Sequence, residues 1–429
     1  MRTYSLSEWE EKPLQSNWHP DGIPERDALN LYREARLREA ELRLGRGNLL
    51  EFHRSGLRAG QVVGVIVAGD CRLEILPKVD DADAQVSRRS LFQMLARTMD
   101  LRLSSSGVTS LGSQDNDLLE ILIRHYANLL YRAVHRGLPR SYNVVEADLG
   151  FLKGQLNVSQ QFTRLAATPQ RLACRYDELN PDTPLNQILK AVVTQLLKAT
   201  RNSQNKRLLA ELRYAFDEVS DLDRSQPLPL RQVHIDRTNA AYKELFNMAV
   251  LFLGGWRQSL YRGEGRGFSL LFEMNVLFEE FIGRCLRGIG SKEGFAVALQ
   301  GPYSHVLRDE VGVRAFGTKP DIHLQRNGKT IVVDTKWKRL KHSGGYTPLG
   351  ISSSDVYQMM TYADVYSADA VVLLYPHTDE MSQAPGILKR FTTLTSGRKV
   401  LVATVCLSDI SSIDEQLSKI LTDLTVGHV

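Results

Sequence analysis

The chain has 429 residues, of which 43% are hydrophobic and 24% charged, with a formal net charge of +5. This is the composition of an ordinary soluble globular protein, too long for one core, so two or three domains are expected. No apolar run approaches the twenty or so residues of a membrane helix, and the opening MRTYSLSEWEEKPLQ lacks the apolar core of a signal peptide. A cytoplasmic protein with no membrane partner is the expectation.

Residues 1–115 read as a β-rich segment. GQVVGVIVAGDCRLEILPKV gives two strands around an Ala-Gly-Asp turn. REARLREAELRLGRGNLL, Arg33 to Leu49, interrupts them as a charged amphipathic helix with a solvated face. From Asp117 the period becomes helical. DLLEILIRHYANLLYRAVHRGLP runs from an Asp/Asn cap to Gly137 and Pro139, with Leu119, Leu122, Ile123, Tyr126, Leu129, Leu130 and Val134 as its buried stripe. A short extended stretch, FLKGQLNV, follows, and then helices over LNQILKAVVTQLLKAT, NKRLLAELRYAFDEV and AAYKELFNMAVLFLGGW. GEGRG, Gly263 to Gly267, reads as the linker into a third segment. The fold class is therefore α+β and multidomain: β-rich over 1–115, mainly helical over 116–262 and α/β with a central mixed sheet over 263–429. The third segment is expected to fold by itself.

The chemistry concentrates in KPDIHLQRNGKTIVVDTKWK, Lys319 to Lys338. Asn327-Gly328 is the strongest short hairpin signal, because both residues tolerate the positive φ of a type I′ turn. Arg326 then pairs with Lys329, and counting outward sets Asp321 opposite Asp334. Directly opposed residues lie roughly 4.5–5.5 Å apart at Cβ, where like charges repel. Two facing carboxylates need a proton, a cation or a metal to be tolerable. Lys336, two residues beyond Asp334, projects from the same face. A divalent cation held by two carboxylates, with substrate phosphate and water, is the usual form of a Mg²⁺ site, and a lysine beside it orients water or stabilises phosphate charge. The plainer reading is a solvated hairpin end, with Asp334 paired to Lys336 or Lys338. TIVVD reads as a strand buried on both faces, an unfavourable place for a merely decorative carboxylate.

Pro320-Asp321 followed by Asp334-Thr335-Lys336 resembles the signature of the PD-(D/E)xK nuclease superfamily. FEMNVLFEEFIGRCL resembles the first helix of those nucleases, which implies a glutamate at the metal site. Glu279 matches best, with Glu280 and Glu273 as neighbours that could instead be surface charge. Gln358 and Tyr362, at i and i+4 of a helix capped by Ser354 or Asp355, resemble a Q-x-x-x-Y motif that supports the active site in the RecB-like branch. DAVVLLYP completes a strand–hairpin–helix–strand order. VGVIVAGDCRLEILPKV, YDELNPDTPLNQILK and FEMNVLFEEF together resemble the McrC family, the nuclease subunits of McrBC modification-dependent (type IV) restriction systems.

The resemblance implies a Mg²⁺-dependent endodeoxyribonuclease with Asp321, Asp334, Lys336 and Glu279 as catalytic residues. Asp321, Asp334, Glu279 and the Thr335 carbonyl would hold the metal, with Gln358 and Tyr362 in support. It implies double-stranded DNA as substrate, a McrB-like AAA+ GTPase ring as partner and two copies of the chain at the cleavage site. By the same resemblance the β-rich N-terminal part would dock on the ring and stimulate its GTP hydrolysis. The chain itself lacks a G-x-x-x-x-G-K-[ST] phosphate loop, so GTP is hydrolysed by the partner and not here. The alternative is a regulatory adaptor that mainly activates the GTPase, with an auxiliary nuclease site. The basic run WKRLKH, with Lys338, Arg339 and Lys341, is either a solvated face or a DNA-phosphate contact. Cys71, Cys174, Cys285 and Cys406 stand far apart without zinc spacing and read as reduced thiols.

Overall fold

The computed structural model describes residues 2–16, 20–42, 47–79, 83–99, 117–223, 227–262, 267–340, 348–378, 381, 383–394 and 396–426. The N-terminal elements are β1 (Arg2–Ser7), β2 (Glu11–Pro13), α1 (Glu25–Leu42), β3 (Leu50–Phe52), β4 (Gly56–Ala59), β5 (Val62–Ala68), β6 (Cys71–Leu76) and α2 (Ala84–Thr98). β5 and β6 form the expected hairpin, with Ala68 opposite Cys71 across Gly69 at φ 57, and every residue of both strands is buried. α1 starts earlier than its charge pattern suggested, just after Pro24, and ends before the strand that contains Leu50. Ala28, Leu31 and Ala35 recur at helical spacing and are buried in the core against β5 and β6, so this helix is only half solvated.

The middle of the chain holds α3 (Leu118–Val134), β7 (Ser141–Leu149), β8 (Gln155–Leu156), α4 (Val158–Thr163), β9 (Leu172–Asn180), α5 (Pro184–Ala199), α6 (Ser203–Ala215) and α7 (Lys243–Arg262). The expected long helices are present, and Thr183 caps α5 by accepting the Asn186 N–H. The three-stranded sheet β7-β9-β8 was not expected. SYNVVEADL and LACRYDELN carry charges among their apolar residues, and both strands are largely solvated, so neither shows the alternation of a half-buried strand.

The remainder comprises β10 (Phe268–Glu273), α8 (Met274–Glu293), β11 (Ala296–Leu299), β12 (Ser304–Arg308), β13 (Arg314–Thr318), β14 (Ile322–Arg326), β15 (Lys329–Thr335), α9 (Ser353–Val365), β16 (Ala370–Pro376), β17 (Gly386–Thr392), β18 (Lys399–Val405) and α10 (Ile413–Val426). A six-stranded mixed sheet runs β11-β14-β15-β16-β18-β17. β15, β16 and β18 are parallel and almost wholly buried, as the unbroken apolar runs of β15 and β16 suggested. α9 is capped by Ser352, whose Oγ accepts the Asp355 N–H, rather than by Ser354 or Asp355.

The structure departs from the sequence reading at the domain boundaries. β10 closes the N-terminal sheet, in the order β1-β6-β5-β10, pairing antiparallel with β5 from Phe268 opposite Val67 to Glu273 opposite Val62. Gly64 permits this approach: at φ +132, an added Cβ would stand 1.9 Å from the Leu270 carbonyl oxygen. α2 also packs on α8. The chain accordingly forms two compact units, residues 1–118 with 266–429, and residues 119–265. The first and third segments are one unit. Residues 263–266 of the GEGRG stretch lie outside the described residues. The structure is thus mixed α+β with several sheets, and no described helix is long and apolar enough to cross a membrane.

A chain truncated to begin at Gly267 would leave β10 without β5 and expose Phe268 and Leu270, each at most 2% exposed in the full chain. We expect it to lose the cooperative thermal unfolding of the full chain by circular dichroism; a cooperative melt of the fragment would contradict the shared sheet.

Candidate active site

The hairpin of β14 and β15 has the expected register. Asn327 and Gly328 take φ values of 50 and 77, Arg326 pairs with Lys329, and the ladder continues to Ile322 opposite Val333. One further step along that register brings Asp321 to Asp334. β15 lies between β14 and β16, so Asp334 ends an interior strand and is only 1% exposed.

The Asp321 Oδ2 accepts both the N–H and the Oγ1–H of Thr335, at 2.8 and 2.9 Å. Neither carboxylate oxygen of Asp334 accepts a well-aligned hydrogen bond. Its close cationic contact is the Lys336 ammonium, with Nζ at 2.6 Å from Oδ2 as an ion pair. Burial, and then the Asp321 charge, push the Asp334 carboxyl up to about 7 against the pull of Lys336. Glu279, on α8, is also raised above the ordinary carboxylate range, by burial and then by Asp321. The hairpin and helix therefore gather negative charge that the folded chain only partly neutralises.

A relay of hydrogen bonds fixes Lys336. Its Nζ donates to Gln358 Oε1 at 3.1 Å, Gln358 Nε2 donates to the Tyr362 hydroxyl at 2.9 Å, and that hydroxyl donates to the Lys319 carbonyl at 2.9 Å. An ammonium only donates, so the amide must turn its oxygen to Lys336 and its NH₂ to the tyrosine. Gln358 and Tyr362 share the hairpin-facing side of α9, and Tyr362 is buried.

Among the helix glutamates, Glu279 approaches the hairpin. Its Oε1 accepts Gln300 Nε2 at 2.9 Å, and Gln300 Oε1 accepts Lys319 Nζ at 3.0 Å. Glu280 forms an exposed pair with Arg284, and Glu273 is the exposed residue before α8. The basic run divides differently. Lys338 Nζ pairs with buried Asp355 at 3.1 Å, and Arg339 reaches the Lys78 carbonyl at 3.5 Å. Lys341 lies outside the described residues.

Sequence reasoning missed Gln300 and Lys319, which connect Glu279 to the hairpin, and Glu8. Glu8 is 2% exposed and accepts the Trp337 indole N–H at 2.7 and 2.9 Å and the Lys78 N–H at 3.0 Å. Burial pushes its carboxyl up to about 7 against those hydrogen bonds. Trp337 follows Lys336 directly, and its ring packs on Phe278, the neighbour of Glu279, at 5.3 Å. The end of β1 thus anchors the backbone on both sides of the site. No local pattern announces such a contact across more than three hundred residues.

The donor set suits a hard divalent cation: a buried carboxylate without a well-aligned hydrogen bond beside a second carboxylate it repels. Asp321, Asp334 and the Thr335 carbonyl would hold it. Among the described residues no group of three His, Cys, Asp or Glu side chains converges as a metal-binding set, and Glu279 is engaged by Gln300. The fit accordingly rests on the aspartate pair.

Fold and site define a mixed α+β protein with a carboxylate–lysine centre at the end of a sheet hairpin. The sequence model of the family described as the McrBC 5-methylcytosine restriction system component matches residues 57–376, and the chain belongs to that family. It is 22% identical over 282 residues to the type IV methyl-directed restriction enzyme EcoKMcrBC of Escherichia coli (strain K12), covering 62% of this chain and 78% of that one. A refined half-complex from a tetradecameric assembly of Thermococcus gammatolerans McrB AAA+ hexamers with bound McrC contains a chain of similar fold. Its TM-score is 0.77 at 22% identity, over 98% of this chain and 100% of that one. A chain in the cryo-EM structure of the Thermococcus gammatolerans McrBC complex is similar with a TM-score of 0.56 at 25% identity, over 67% of this chain and 88% of that one.

Two stability measurements check the site's electrostatics. Because the folded-state pKa of Asp334 is raised, the stability it contributes is full below about pH 4 and is lost as pH rises through about 7. Without divalent cation, Asp334→Asn should raise the melting temperature at pH 8 and change it little at pH 4, with a ceiling of about 4 kcal/mol. A lower melting temperature at pH 8 would contradict the repulsive pair. Trp337→Phe, which deletes the indole donor to buried Glu8, should destabilise by about 1–3 kcal/mol in denaturant unfolding; an unchanged midpoint would mean that the contact carries no energy.

Proposed function

We propose that this chain is the Mg²⁺-dependent DNA endonuclease subunit of a GTP-dependent restriction complex directed at modified cytosine, working with a McrB-like AAA+ GTPase ring. The observation that carries the reading is Asp334, a carboxylate buried at the end of an interior strand with no well-aligned hydrogen bond, against Asp321 and Lys336. As a structural ion pair this arrangement is poor, since a buried charge needs good geometry and satisfied lone pairs. As a metal-binding half-site beside a general cation it is well formed. The strand–hairpin–helix–strand order around it supports the PD-(D/E)xK assignment.

When bound, a Mg²⁺ ion would act as Lewis acid toward the scissile phosphate and its attacking water. Lys336, held by Gln358, would orient that water or neutralise charge growing on the phosphate oxygens. Gln358 and Tyr362 lock the lysine, since turning the amide over would set its NH₂ against the ammonium, donor to donor, and its oxygen against the tyrosine oxygen, acceptor to acceptor. Glu279 lies near enough to feel the Asp321 charge and, released from Gln300, would extend the acidic half of the site.

The family description and the relatives' complexes with McrB hexamers support a GTPase ring as partner. The docking surface expected in residues 1–115 is sparsely apolar among the described residues, whereas β7–β9 and α4 expose Tyr142, Val144, Phe162 and Leu179. The ring contact is therefore assigned to that small sheet as well. The tetradecameric assembly of the relative supports two copies of this chain per complex, as double-strand cleavage by single-strand centres requires.

Asp334→Ala or Lys336→Ala should abolish Mg²⁺-dependent cleavage of methylated plasmid while leaving stimulation of the partner's GTP hydrolysis intact. Cleavage at the wild-type rate by either variant would sink the assignment. Asp321→Asn should retain a residual activity that needs more Mg²⁺ or responds to Mn²⁺; an unchanged metal dependence in a rate titration would remove Asp321 from the ligand set.

A further inference from the structure

The β12–β13 hairpin contains a second like-charge pair, of the opposite sign. Its register sets Arg308 directly opposite Arg314. Directly opposed like charges destabilise a strand pair. Both arginines are exposed, and neither has an ion-pair partner among the described residues. The nearest carboxylate in sequence, Asp309, is turned back on the tip, where its Oδ1 accepts the Val311 and Val313 N–H groups at 3.1 and 2.7 Å. Glu310 stands at the tip itself.

The same hairpin spends apolar surface on solvent. Leu307 is 57% exposed and Phe316 73%, and Phe316 holds φ 57, a left-handed conformation unfavourable for a side chain of that size. The base, by contrast, is rigidly tied to the candidate active site. Tyr366 donates to the Thr318 carbonyl at 2.7 Å, and Tyr362, the last member of the relay from Lys336, donates to the next carbonyl, that of Lys319. Asp321 is seven residues beyond Arg314, at most about 24 Å of extended chain.

We propose that β12–β13 is a DNA-binding arm, in which Arg308 and Arg314 grip backbone phosphates of the duplex being cut, within about seven nucleotides of the scissile bond. The inference rests on the nuclease reading and deepens it. Duplex DNA is the occupant because the unsatisfied groups are paired cations, the arm is built onto the hairpin that carries the proposed phosphodiester chemistry, and the described basic side chains beyond Lys336 are already engaged. Lys338 is held by Asp355 and Arg339 by a main-chain carbonyl. Arginine pairs supply affinity without sequence information, which suits a subunit that cuts where it is placed. Phe316, two residues from Arg314 and so on the face of the arginine pair, would lie against sugar edges in the groove.

The test is binding of the full chain to a short duplex, by fluorescence anisotropy with Ca²⁺ in place of Mg²⁺, across a salt series. Each phosphate contact contributes about 0.9 to the slope of log affinity against log salt. Arg308→Ala/Arg314→Ala should flatten the slope by nearly 2 and weaken binding at least tenfold at about 0.1 M salt, with an unchanged or higher melting temperature. Lys338→Ala should leave the slope unaltered. A double variant with the wild-type slope overturns the arm, and so does a wild-type chain that binds no duplex. If the slope is unaltered while the variant changes the sedimentation of the free chain, the occupant is a second copy and the proposal is again overturned. Cleavage of methylated plasmid by the wild type with its GTPase partner, GTP and Mg²⁺ is scored separately. A flattened slope without any wild-type cleavage would sink the nuclease reading and keep the arm, whereas cleavage with an unaltered slope would do the reverse.

Discussion

A carboxylate in the interior of a sheet, without a well-aligned hydrogen bond and within the field of another carboxylate, is the constraint around which this molecule is organised. Asp334 is only 1% exposed to water, and the Lys336 ammonium that reaches it is shared with Gln358. An isolated buried charge of this kind would be selected against for stability alone, since desolvation outweighs one imperfect ion pair. The surroundings hold it in place by other means. The Thr335 N–H and hydroxyl restrain Asp321, the Gln358–Tyr362 relay restrains Lys336, and Gln300 restrains Glu279. The bonds to Asp321 and Glu279 each fix a carboxylate that, left to itself, would rotate away from its like-charged neighbour, and the relay fixes the Lys336 cation between Asp334 and Gln358.

This restraint extends beyond the six-stranded sheet. β10 belongs to the N-terminal sheet and leads directly into α8, which carries Glu279. Glu8, at the end of β1, receives the indole of the residue after Lys336. Gln61, beside β5, donates to the Trp337 carbonyl at 3.2 Å and exchanges hydrogen bonds with Asn275 at the start of α8. The residues that flank the proposed chemistry on both elements are thus anchored to strands near the N-terminus. A rearrangement of that first sheet would be felt at the lysine and the helix together, which gives a partner-driven change a physical route into the site.

Legibility in the sequence followed locality. The hairpin was readable because Asn327-Gly328 fixes a turn, and the turn fixes a register, so Asp321, Asp334 and Lys336 came from counting. Gln358 and Tyr362 were readable because helical spacing aligns them, and the buried strands because their apolar runs are unbroken. Three kinds of feature escaped. The β7–β9 sheet lacks a buried face and so lacks a period. Gln300, Lys319 and Glu8 act through contacts between distant segments, and an isolated glutamine or glutamate has no signature. The domain boundaries misled because a composition shift at GEGRG marks a change of local structure, whereas the sheet is closed by a strand on the far side of it. The same limit applied to WKRLKH, where a run of charge reads alike whether its members face solvent or, as with Lys338, pair with a buried aspartate.

The claim that the aspartate pair exists to hold a cation is tested most directly by isothermal calorimetry of Mg²⁺ into the intact chain without nucleic acid or partner. The account predicts saturable binding of Mg²⁺ that is lost in Asp334→Asn and weakened in Asp321→Asn, while Glu280→Gln, on the exposed face of α8, binds as the wild type does. Equal binding by Asp334→Asn, or no binding by the wild type at millimolar Mg²⁺, would contradict it.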